Sequence, residues 1–413
     1  MSSIEVKKNK ALFYFFSWSI VFLFPLYSLP WVVYRMWRLE KVAFIQFAFF
    51  MGLLGLLYAP TGDMYMYAKD YYLYKGLDWN TFIYVVALEH FDFLLSLISY
   101  IFGLIGLSND LVRFLYNFVA YILLGSLFLK IVRTNSSYKH KTILYALFIL
   151  INFILIRYAF RFGLSSVVFV YGAYLIICEE KRKGWIFVFL AVLNHLSFVL
   201  YALIVVLVKL VKKSFSILTI FLLGIIAFLM STFISDIFYN LPISPEMMIH
   251  FSNYIDGYQA DQILKDKTNK DLIWNSISYS YTALLLLYVL SFYNKGGNMK
   301  KSLVAYMVLL CIISMPYAVM FDRFLIPLRL YLKVFILSSF DGSPRMIRSL
   351  KVFFICTIMF SVLNTWSYRR QIFVSDYSLL FTSTSLGILC HTYPESWINK
   401  NVDEIGGLIN VNW

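Results

Sequence analysis

Apolar runs near the ~20 residues needed to cross a bilayer recur along the chain, separated by short connectors rich in Lys and Arg. The clearest later spans are residues 215–235, 274–293, 302–321, 324–340 and 352–368. No polar stretch is long enough to fold alone, and neither a linker nor an internal repeat divides the chain. The pattern predicts an all-α polytopic membrane protein with about 11–12 membrane segments, some half-length, forming one transmembrane domain over residues 1–413. The first run, Ala11 to Tyr34, follows Lys7, Lys8 and Lys10 and lacks a small-residue cleavage site, so it is expected to stay in the mature chain. It contains Pro25 and Pro30 and has basic residues at both ends, Arg35, Arg38 and Lys41 following it, which leaves the side of the N-terminus open.

The connectors assign sides to the rest. Four basic residues lie between Lys130 and Lys141, and Lys181, Arg182 and Lys183 follow the next apolar stretch, so both connectors are expected in the cytoplasm. Residues 142–157 and 162–178 then form a short hairpin with Arg157 and Arg161 at its outer turn. Residues 185–208 have the length of one span, yet Lys209, Lys212 and Lys213 follow at once, so both ends look cytoplasmic. Two half-length helices meeting near Asn194 and His195 satisfy this parity, the non-helical backbone bordering a water-filled cavity. The loop 236–273, acidic on balance, and the tail 369–413 are then external. Residues 60–109 read as an external loop with juxtamembrane helices, because Glu89, Asp92, Ser96, Ser99 and Gly103 make one polar stripe on an apolar helix.

Composition removes the soluble alternative. Of 413 residues 61% are hydrophobic and 14% charged, too few charges to coat a water-soluble surface. The net charge of +14 resides mostly in connectors, which makes it a topology signal with some attraction to anionic lipid, and no nucleic-acid partner is expected. Cys178, Cys311, Cys356 and Cys390 show no metal spacing and read as ordinary packing.

Ionisable groups at membrane depth are costly and become functional candidates when they share a cavity. Arg157 and Arg161, four apart, would share a face if their turn is helical, and paired guanidinium groups suit a pyrophosphate; the alternative is a pair of interfacial anchors. Asp322 and Arg323 fall at another outer end and can equally be a structural pair. Arg329 lies two turns into its span, with Lys333 one turn further as a snorkelling residue or a second cavity cation. His195, between Asn194 and Ser197, could be a general base, a phosphate contact or a satisfied structural histidine. Asp63, in Pro60-Thr61-Gly62-Asp63, is the best carboxylate, although turn chemistry explains it too. There is no GxxxxGK[ST], no HExxH and no strong carboxylate pair for a divalent cation, so neither a metal nor a cofactor is expected.

In order along the chain, Gly62-Asp63 with Tyr67, Glu89, Arg157 with Arg161 and Gly163, Leu193-Asn194-His195-Leu196-Ser197, and Arg323, Arg329 and Tyr331 form a spaced pattern. The chain from about residue 40 to 370 resembles in this the bacterial O-antigen and exopolysaccharide polymerases of the Wzy and EpsG-like group. The resemblance implies a GT-C-like helical bundle in the bacterial inner membrane. The implied activity joins undecaprenyl-diphosphate-linked oligosaccharide repeat units at the periplasmic face and releases undecaprenyl diphosphate. With it come His195, Asp63, Arg157 and Arg161 as catalytic candidates, and Arg323, Arg329, Tyr67, Glu89 and Asp322 as substrate contacts. The polar stripe would contact sugars, and a chain-length regulator protein is a possible partner class. A lipid-linked oligosaccharide flippase and an O-antigen ligase are the competing readings.

Overall fold

The computed structural model describes residues 3–89, 93–151, 160–231, 233, 269–403 and 406–409. Arg157, Asp92, the side chain of Glu89 and most of the loop 236–273 lie outside the described residues. Among the described residues the chain is all-α, with one isolated bridge between Val402 and Leu408. Within the same residues four helical stretches are long and apolar enough to cross a membrane: Asn109–Thr134, Phe160–Ile177, Asn275–Lys295 and Pro344–Ser367. Seven shorter apolar helices accompany them. The chain is a multi-pass membrane protein, and it folds as two compact units.

The first unit comprises residues 1–84, 93–164 and 361–413. The apolar run Ala11–Tyr34 is two helices here, α1 (Ser3–Leu23) and α2 (Pro25–Trp37). The break falls at Phe24 because Pro25 has no N–H to continue a helix and is favoured in a first turn. Arg35, read from sequence as a topology marker, is 1% exposed. It donates to Glu40 at 2.8 Å, to Gln46 at 3.0 Å and to Ser17, so one guanidinium joins α1, α2 and the start of α3 (Lys41–Leu57). Next come α4 (Asp63–Tyr74), the first part of α5 (Trp79–Glu89), whose residues from Val85 on belong to the second unit, α6 (Phe93–Leu104) and α7 (Asn109–Thr134). Helix α3 packs along α7, with Phe44 against Phe128 at 5.6 Å and Phe49 against Phe114 at 5.5 Å.

The polar stripe on α6 is a packing face. Ser96 and Ser99 are 7% and 2% exposed, Ser96 accepts from Tyr74, and a Cβ on Gly103 would meet the backbone of Lys75 at 3.2 Å. Small side chains let α6 approach α4 closely, while Ile101 and Leu104 stay exposed. These hydroxyls are therefore not open to a sugar, contrary to the expectation that came with the family resemblance. Helix α8 (His140–Leu150) is followed by α9 (Phe160–Ile177), whose first turn belongs to this unit.

The second unit comprises residues 85–92 and 165–360. It holds the rest of α9, then α10 (Gly184–Asn194), α11 (Phe198–Val211), α12 (Ile217–Ser231), α13 (Asn269–Phe292), α14 (Asn298–Ser314), α15 (Ala318–Ser338) and most of α16 (Pro344–Ser367). The expected break at His195 is present: α10 ends at Asn194 and α11 begins at Phe198. The boundary expected between Phe321 and Phe324 is not where the helices part. Helix α14 stops at Ser314 and α15 starts at Ala318, so Asp322 and Arg323 are helical. Pro316 lies at the earlier break, where it has no N–H to continue the intrahelical hydrogen bonds of α14. The tail of the first unit follows as α17 (Arg369–Val374), α18 (Leu379–Thr382), α19 (Ser385–Leu389) and α20 (Glu395–Asn401).

Candidate functional site

In the first unit Asp63 and Tyr67 stand one turn apart on α4 and so share a face. Gly62 supplies the turn into α4 with φ +61°, a conformation that costs a glycine little. Its N–H donates to the carbonyl of Gly406 at 2.8 Å, and a Cβ on Gly406 would meet the Gly62 oxygen at 2.7 Å. The tail therefore holds the start of α4 in place. Asp63 is exposed in the first turn of α4, where the helix dipole favours its charge, and it makes no ion pair among the described residues. Arg161, at the second position of α9, lies over the Tyr67 ring with 5.1 Å between guanidinium carbon and ring centroid. The ring of Phe160 stacks on Tyr116 at 4.4 Å and meets Tyr67 at 6.1 Å, which fixes the backbone beside Arg161. Two residues 94 positions apart, both singled out by sequence, thus meet.

The seat for this site was not legible in the sequence. Arg113 and Asp110, 1% and 5% exposed, form an ion pair on the first turns of α7. Arg113 donates to the carbonyl oxygens of Leu56, at 3.0 Å, and of Tyr58, which α3 leaves without intrahelical partners as it ends. Asp110 accepts from the backbone N–H of Tyr393 at 2.9 Å, and the Tyr393 hydroxyl donates to Leu57 O at 2.7 Å. Ala59 N–H donates to Ser375, and Ala59, Ala68, Tyr393, Ile398 and Val402 form an apolar cluster. The partners are separated by up to 336 positions, so no local pattern announces them.

In the second unit His195 caps α10 in an extended conformation and is 8% exposed. Ser197 Oγ lies 3.0 Å from His195 Nδ1, and Ser197 N–H approaches the same nitrogen at 3.4 Å. Donation to Nδ1 places the ring proton on Nε2, while rotation of the hydroxyl lets it accept from Nδ1 and leaves Nε2 able to take a proton. Asn194, 1% exposed, donates to Ser165 on α9 at 2.8 Å, anchoring the break. At the other end of the same helix pair, a Cβ on Gly172 would meet Gly184 O at 2.8 Å, so the two backbones are nearly in contact.

Arg329 is 4% exposed on α15 and is held by α13: Nε donates to Thr282 at 2.6 Å, and Nη2 to the carbonyl and hydroxyl of Ser278 at 3.0 and 2.7 Å. Nη1 has no such partner among the described residues. Lys333, one turn on and 1% exposed, lies 6.0 Å from the Tyr281 ring. Asp322 and Arg323 are half-buried on the first turns of α15, and Tyr331 is fully buried. Among the described residues no three His, Cys, Asp or Glu side chains gather at metal-binding distance.

The sequence model of the EpsG family matches residues 41–379. The chain belongs to the EpsG family. This is a family of exopolysaccharide and O-antigen polymerase-like membrane proteins, so the chain has, at family level, the character of a glycosyltransferase-like polysaccharide polymerase. The EpsG match contains every candidate from Asp63 to Lys333, but not Tyr393 or Gly406, which seat α4. No curated protein matches the chain, and no solved structure does.

Proposed function

We propose that this EpsG-family chain polymerises undecaprenyl-diphosphate-linked oligosaccharide repeat units at the periplasmic face of a bacterial inner membrane, with a GT-C-like architecture. The observation that carries the reading is a family match running across most of the membrane helices, residues 41–379. In the reaction a hydroxyl of the incoming unit attacks the anomeric carbon of the growing glycan. The new glycosidic C–O bond forms as the bond to the lipid diphosphate breaks, and the hydroxyl proton passes to a base.

Negative charge builds on the departing diphosphate, so donors placed there stabilise the transition state more than the ground state. Arg161, with Arg157, is assigned to that oxygen cluster, Arg329 to a further phosphate contact through Nη1, and Arg323 and Asp322 to the edge of the substrate. His195 or Asp63 takes the proton, and Tyr67 and Glu89 contact sugar. A cleft of about 470 Å³ between α12, α13 and α14, lined by apolar residues including Phe221, Gly224 and Leu290, has the chemistry that a polyprenyl tail requires. The cations perform the work that a metal performs elsewhere, and a chain-length regulator is the expected protein partner.

A strain lacking the chain provides the test, read as the banding of its surface glycan. A single repeat unit on the acceptor, with long polymer restored by the full chain, supports the proposal. Loss of even the single unit would point instead to a ligase or flippase.

A further inference from the structure

The C-terminal ends of α9 and α11 and the N-terminal end of α14 border an open cavity of about 430 Å³ that the proposed reaction does not use. Lys209, Lys212 and Lys300 line it, opposed by one carboxylate, Glu180. Lys300 donates to Ser338 Oγ at 3.2 Å; the side chains of Lys209 and Lys212 have neither a hydrogen bond nor an ion pair among the described residues, and Glu180 pairs with none of the three. Residues 297–300 also line the cavity, and they open α14 without a side-chain cap because Gly297 is its N-cap. The first amides of that helix add partial positive charge to three ammonium groups that repel one another. Such a concentration of donors and cations is relieved by a multivalent anion, and phosphoryl oxygens match it in charge and acceptor number.

The surroundings decide the source of that phosphoryl group. Leu207, Leu210 and Val211, on the same final turns of α11 as Lys209, are 44%, 73% and 42% exposed. Apolar surface of this kind beside a basic cavity at helix ends suits a molecule whose head is anionic and whose tail is hydrocarbon. We propose that this cavity, bounded by Lys209, Lys212, Lys300 and the first turn of α14, binds the phosphate headgroup of an anionic membrane lipid. The connectors that build it are those whose lysines mark the cytoplasmic side, so the lipid is a component of that leaflet.

The full chain, purified in neutral detergent, is titrated with phosphatidylglycerol, phosphatidylcholine or inorganic phosphate, and bound species are counted by native mass spectrometry. Phosphatidylglycerol should bind more tightly than phosphatidylcholine and compete only weakly with inorganic phosphate. Replacing all three residues (K209Q, K212Q, K300Q) should weaken phosphatidylglycerol binding by on the order of a hundredfold, each lysine near a lipid surface contributing a factor of about five. K141Q with K351Q, on other connectors, should leave it unchanged. Glu180→Gln should tighten it, a gain that misfolding cannot imitate. Unchanged phosphatidylglycerol binding in the triple variant, or no gain on Glu180→Gln, overturns the site. Displacement of phosphatidylglycerol by inorganic phosphate at comparable concentration overturns the lipid as its source.

Discussion

Replacing Arg113 with methionine removes the cation that ties the end of α3, the start of α7 and the tail together, and the cost follows from burial. Asp110 is 5% exposed and loses its partner, while the carbonyls of Leu56 and Tyr58 lose theirs. Breaking a buried pair from one side costs about 3–5 kcal/mol, because the remaining charge is left without compensation. Asp110→Asn keeps a polar acceptor for the Tyr393 N–H and forfeits charge-assisted bonds, about 1.5–3 kcal/mol. The double change leaves no lone charge, so it should cost less than the sum of the two, with a coupling of about 0.5–3 kcal/mol. Tryptophan-monitored unfolding in detergent measures these values, and trypsin cleavage at exposed Lys400 reports release of the tail. Additive losses, with cleavage at Lys400 no faster than in the parent, would refute the assignment of Arg113 as the clamp.

Further outcomes are expected. Arg161→Lys should fold and keep its contact with Tyr67, yet lose the planar fork, so polymer yield should fall by about 10²-fold or more at normal expression; normal ladders for both Arg161→Lys and Arg161→Ala would remove Arg161 from the phosphate site. Gly172→Leu should destabilise the α9–α10 pair by about 1–3 kcal/mol, seen as a lowered unfolding midpoint, because its side chain would enter the backbone of Gly184. Bonds from Lys295 and from Ser343 N–H lower the Asp341 carboxyl to about 2, so their contribution is complete above the ordinary carboxylate range and is lost as pH falls from about 4 toward 2. Asp341→Asn should flatten that acid-side decline in the melting profile, by a small amount since the pair is exposed. Activity of the purified chain should persist in EDTA; loss in chelator with recovery on adding magnesium would contradict a reaction run by cations alone.

Long-range charge bookkeeping made the break at His195 legible, because lysines on both sides of one span-length segment require an even number of crossings. Apolar runs located α12, α13 and α16 for the same reason that hydropathy works in membranes, since backbone groups there must be satisfied within a helix. The parts that were missed are those where a polar side chain serves another element. Arg35 looked like a connector charge and is buried between three helices, and Ser96 and Ser99 looked like a wet face and pack on α4. Arg113, Asp110 and Tyr393 gave no signal, because their partners are assembled only by tertiary folding. Arg161 was a candidate for its chemistry and Tyr67 through the family resemblance, and their contact is what the fold adds.

The central claim is glycan polymerisation from a lipid diphosphate. Its most direct measurement is product analysis with the purified full chain in liposomes, supplied with undecaprenyl-diphosphate-linked repeat units. A ladder of lengthening glycans, with one undecaprenyl diphosphate released for each glycosidic bond formed, is the predicted result. Movement of intact repeat units across the bilayer without a longer glycan or free undecaprenyl diphosphate would contradict the account.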